Sequence, residues 1–113
     1  MREPRLLLWA CERGLHLLAV KGLFKGPPRD AFTVALAALK LGGKVELEFG
    51  GGCCRVKLLG SNLLARLYTA SKSGELRFIL SEAVKAYERW ESELWGKGVT
   101  LSQYFERVKG NAQ

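Results

Sequence analysis

Between Lys44 and Leu59, apolar and charged residues alternate on both sides of three consecutive glycines, and this pattern constrains the fold more than any other in the chain. Val45, Leu47 and Phe49 alternate with Lys44, Glu46 and Glu48 before Gly50-Gly51-Gly52, and Cys54, Val56 and Leu58 alternate with Arg55 and Lys57 after it. Side chains a period of two apart share one face of a strand, so the segment reads as a β-hairpin with an apolar and a charged face. A two-residue turn at Gly51-Gly52 sets the register. It opposes Phe49 to Cys54, Leu47 to Val56 and Val45 to Leu58, with Glu48 facing Arg55 and Glu46 facing Lys57. Turning one residue earlier opposes Lys44 to Lys57, a like-charge pair that favours the first register by about 1 kcal/mol.

On either side of the hairpin the period is helical. Residues 5–22 are apolar except at Arg5, Glu12, Arg13, His16 and Lys21, which predicts a helix with a wide buried surface and makes it the expected centre of the fold. Gly22, Gly26 and Pro27-Pro28 end it, so residues 22–29 read as a loop carrying Lys25 and Arg29. Asp30 then sits at the positive end of a second helix, whose small residues Ala31, Ala35 and Ala38 allow close packing, and Gly42 stops it.

After the hairpin, Ser61 is placed to cap a helix reaching about Ser71, with Gly74 suited to its left-handed terminus. Apolar residues Leu76, Leu80, Ala83, Tyr87, Trp90 and Leu94 form the seam of a helix over 75–95. The alternation of Leu76, Phe78 and Leu80 also suits a third strand over 75–80. Thr100 and Gln103 form a capping box, Val99 and Tyr104 a hydrophobic staple, and Gly110 closes the last helix. The expected fold class is therefore α+β: a mainly helical single domain of about five helices with one two-stranded antiparallel β-hairpin, in the order αα-ββ-ααα.

Charged residues break the apolar run from Leu6 to Phe24, so it does not span a membrane, and Glu12 spoils it as a secretory signal. The chain reads as cytoplasmic, with no membrane partner. Ten glutamates to one aspartate, and five Asn, Gln and Met residues in all, suggest a thermophile. In that setting an intracellular disulfide from Cys11 to Cys53 or Cys54 stays open.

Chemistry finds little support. His16 is five residues from Cys11 and off its helical stripe, and Cys53 and Cys54 project to opposite faces of a strand. Neither a nucleophile–base pair nor a metal site emerges, Glu46 and Glu48 are matched by Arg55 and Lys57, and no cofactor is implied. The glycine run lacks the following helix that a phosphate loop requires. An enzyme is the least supported class.

Charge supports more. Lys and Arg number 18 against 11 acids, giving net +7, and residues 1–43 hold seven basic against three acidic residues. Arg2, Arg5, Lys21, Lys25, Arg29 and Lys40 are the candidate contacts for DNA or RNA, with the hairpin as scaffold. A glycine-rich tip beside Arg55 also resembles the β-ribbons that enter DNA grooves. The competing class is a protein-interaction module that forms a homodimer through the 76–95 seam, near Trp90 and Trp95; the same seam also suits packing against the first two helices.

Overall fold

The computed structural model describes residues 4–112, with side chains described over 7–110. The chain runs α1 (Pro4–Lys21), β1 (Leu23–Gly26), α2 (Pro28–Lys40), β2 (Lys44–Glu48), β3 (Cys54–Gly60), α3 (Leu63–Ser73), α4 (Glu75–Arg89) and α5 (Leu101–Ala112). At the centre lies α2 rather than α1. Every residue from Ala31 to Leu39 is buried, because short alanine side chains let the other elements close around the helix. The sheet, α1, α4 and α5 all pack against it. By contrast α1, the expected centre, keeps Trp9, Leu17 and Val20 exposed.

The prolines begin α2 as well as ending what precedes it. Pro28 occupies the first helical position, where a missing N–H costs nothing and the fixed φ suits the helix.

The sheet has three antiparallel strands in the order β1-β3-β2, which corrects the two-stranded hairpin and gives the order αβα-ββ-ααα. Residues 22–29 are thus not simply a loop. Gly22, at φ +77°, turns the chain out of α1, and its carbonyl accepts a hydrogen bond of 2.9 Å from Leu58 N–H. Phe24 then anchors β1: a β-carbon on Gly14 would lie 2.7 Å from its ring, and one on Gly26 2.9 Å. Two glycines make room for one aromatic side chain.

Between β2 and β3 the ladder follows the expected register, pairing Val45 with Leu58, Glu46 with Lys57, Leu47 with Val56 and Glu48 with Arg55. Cys53 N–H closes the turn on Gly50 O at 3.0 Å, and Gly52 takes φ +83°. The ladder stops at Glu48, so Phe49 and Cys54 are not a ladder pair, and an irregularity after Lys44 sets it opposite Gly60.

Residues 75–80 are helical, with Leu76, Ile79 and Leu80 buried and Arg77 and Phe78 exposed. Beyond Arg89 the helix loosens into a π turn (Trp90–Leu94) and a 3-10 turn (Trp95–Lys97). Trp90 fastens this end by donating its Nε1–H to Val99 O at 2.8 Å. The capping box forms both its bonds, Thr100 N–H to Gln103 Oε1 at 3.0 Å and Gln103 N–H to Thr100 Oγ1 at 3.1 Å. Gly110 does not end α5, which continues to Ala112. Nor does Ser61 cap α3, which starts after Asn62 without a side-chain cap.

Phe32 of α2 ties the helical layer together. Its ring lies 5.9 Å from Tyr87, 5.8 Å from Tyr104 and 5.8 Å from Phe105, in edge-on and stacked arrangements that aromatic quadrupoles favour. Among the described residues no helix is long and apolar enough to cross a membrane.

Candidate nucleic-acid interface

Burial alternates along the strands, so the sheet gives Phe24, Val45, Leu47, Cys54, Val56 and Leu58 to the core and keeps a second set exposed. Rows across that open face follow from the register. Lys25 lies opposite Arg55, which lies opposite Glu48; Leu23 lies opposite Lys57, which lies opposite Glu46. Lys44 and Leu59, both exposed, extend the face toward one end. Lys25, Lys44, Arg55 and Lys57 thus share a surface with two carboxylates, Glu46 and Glu48.

The pair Lys25–Arg55 is the unusual feature. Directly opposed residues of antiparallel strands lie about 5 Å apart, and like charges at that spacing repel unless an anion intervenes. None of the opposite-charge pairs on this face closes into a contact ion pair among the described residues. The cations are therefore exposed and incompletely neutralised.

Two further basic residues border the same sheet. Lys21 precedes the Gly22 turn, which is bonded to Leu58, and Lys40 ends α2 four residues before Lys44. Both are exposed and lie toward the Leu58–Gly60 end of β3.

The sequence-derived set divides as follows. Lys21, Lys25 and Lys40 gather around the sheet. Arg29 lies apart, half-buried, with its guanidinium 5.7 Å from the Tyr87 ring centroid. Arg2 lies outside the described residues, as does the side chain of Arg5. Lys44 and Lys57 are not in the sequence-derived set and Arg55 enters only as a neighbour of the glycine tip, because in a lone hairpin Glu48 and Glu46 match Arg55 and Lys57. The signal that would have included them is the short run Leu23-Phe24-Lys25 between Gly22 and Gly26, a strand whose charged residue must face a neighbour.

The seam proposed for self-association is a core face. Leu76, Leu80, Ala83, Tyr87 and Trp90 are each less than 10 % exposed and pack within the domain, while Leu94 is half-buried. Exposed apolar side chains occur on α1, where Trp9, Leu17 and Val20 flank Arg13, and also off the seam at Leu64, Tyr68, Phe78 and Trp95. The Arg13 guanidinium lies 5.0 Å from the Trp9 ring, and Arg13, His16, Leu17 and Val20 line a shallow hollow of about 270 Å³.

All three cysteines are thiols: Cys11 and Cys54 are buried and Cys53 is exposed. Burial raises the Cys54 thiol above its ordinary 9.0, outweighing a hydrogen bond involving Gly50, so at neutral pH it is a weak nucleophile. Among the described residues no three His, Cys, Asp or Glu side chains gather as a metal site would require. No protein-family model matches the chain, and neither curated proteins nor solved structures include a significant match to it.

Proposed function

We propose that the chain is a small basic protein that associates with nucleic acid through the open face of its sheet. The observation carrying this reading is the position of β1, which sets Lys25 beside Arg55 on a face where cations outnumber carboxylates. Phosphates placed between such neighbours relieve their repulsion and release counterions, which favours association without any base contact. Lys21 and Lys40, at the sheet's border, extend the same field.

Binding to a mixed-sequence duplex and to a single strand, each followed across salt concentration, tests the proposal. With four phosphate contacts, affinity falls about a hundredfold between about 50 and about 200 mM salt. Reversing two charges with Lys25→Glu and Arg55→Glu weakens binding further and lowers the salt slope by about two. Absence of binding to either form at low salt overturns the reading.

Self-association is the second reading, and one observation favours it: the uncovered Trp9, Leu17 and Val20 on α1. The homodimer it describes uses α1 rather than the buried 76–95 seam. Sedimentation of the protein and of a Trp9→Glu variant at high concentration separates the two readings, because loss of a dimer leaves the salt-dependent binding in place.

A further inference from the structure

Beside the start of α2 is an open cleft of about 380 Å³ lined by Pro27, Pro28, Arg29, Asp30 and Tyr87. Arg29 lies half-buried over the Tyr87 ring, and among the described residues its guanidinium makes no ion pair or hydrogen bond. An arginine fixed on an aromatic ring has lost much of its freedom while its planar set of donors remains unused. Tyr87 is 7 % exposed, yet it reaches this cleft, and its hydroxyl bonds to no protein group among the described residues. The ring is buried but the hydroxyl itself is not, so it is open to a ligand seated in the cleft. The positive end of the α2 dipole adds to the same place.

We infer that this cleft binds a phosphate group, with the Arg29 guanidinium and the Tyr87 hydroxyl as donors. A phosphate monoester carries nearly two negative charges and three acceptor oxygens, enough to take the guanidinium fork and a hydroxyl together. Asp30 also lines the cleft and opposes an anion, although its Oδ1 is buried. Burial, reinforced by Glu91 and opposed by Arg29, holds the Tyr87 phenol above its ordinary 10.0, so it remains protonated and able to donate at neutral pH.

The phosphate can be free, carried by a small molecule, or located at the end of a nucleic-acid strand; the inference does not depend on the sheet's reading. Calorimetric titration uses four probes: inorganic phosphate, a nucleoside 5′-monophosphate, and one oligonucleotide bearing either a 5′-phosphate or a 5′-hydroxyl. Arg29→Gln is expected to weaken phosphate binding about tenfold and Tyr87→Phe about fivefold, while Arg29→Lys retains part of it. Because Tyr87→Phe keeps the buried ring, it remains informative if Arg29→Gln unfolds. Preference for the 5′-phosphate over the 5′-hydroxyl strand, lost in both variants, identifies a strand end; equal binding of the two strands with variant-sensitive binding of the small probes identifies a small ligand. The 5′-hydroxyl strand reports on the sheet alone, so failure there leaves the cleft's result standing. Phosphate binding that is undetectable, or the same in wild type, Arg29→Gln and Tyr87→Phe, overturns the inference.

Discussion

Gly14 illustrates how much one missing methyl group can determine. Alanine is ordinarily the better helix former by about 1 kcal/mol, and Gly14 lies inside α1. A β-carbon there would meet the Phe24 ring at 2.7 Å and Val34 Cγ2 at 3.0 Å, so Phe24 has to move. Gly14→Ala is therefore expected to destabilise the protein by about 1–3 kcal/mol in a denaturant titration. Gly110→Ala in α5 has no neighbour within 4 Å and is expected to do the reverse, gaining about 0.5–1 kcal/mol. If both changes prove stabilising, the seating of Phe24 described above is wrong. The sequence displays Gly14 and Phe24 but not their contact, since helix periodicity says nothing of what a strand beyond the next turn will press against the helix.

Legibility at the level of elements depended on how local the determining interactions are. The hairpin register follows from neighbouring residues, and four of its pairs form as the alternation and turn chemistry predict. The Thr100–Gln103 box is equally local; Thr100→Ala is expected to cost about 1 kcal/mol and to speed amide exchange in the first turn of α5. β1 was illegible because four residues with a single core-facing aromatic, between two glycines, display too little alternation to distinguish a strand from a loop. The π turn was hidden for a different reason: the end of its helix is tied through Trp90 to Val99, a tertiary bond with no periodic trace. The candidate sites divide along the same line. Lys21, Lys25 and Lys40 could be recognised by their charge, but the involvement of Arg55 and Lys57 depends on β1, and Arg29 meets Tyr87 only when α2 packs against α4.

Across the whole molecule, buried ionisable groups set how stability responds to alkali. Burial raises Tyr87 and Tyr104 above the ordinary 10.0 and Cys54 above 9.0. The folded state therefore retains these protons after the unfolded chain has begun to lose them. Their contribution is complete below about pH 8 and declines as pH rises, first through the thiol range and then through the tyrosine range. Unfolding midpoints measured from about pH 8 to about pH 11 should fall, and Tyr104→Phe should reduce the fall; a flat profile contradicts the burial of these groups. The face formed by β1 and β3 has its own linkage. In the unfolded chain Lys25 and Arg55 are separated by α2 and the first hairpin strand, and folding brings these like charges side by side. A polyanion bridging the pair would act as a clasp on β1, raising the resistance of the sheet to opening as its concentration exceeds its dissociation constant.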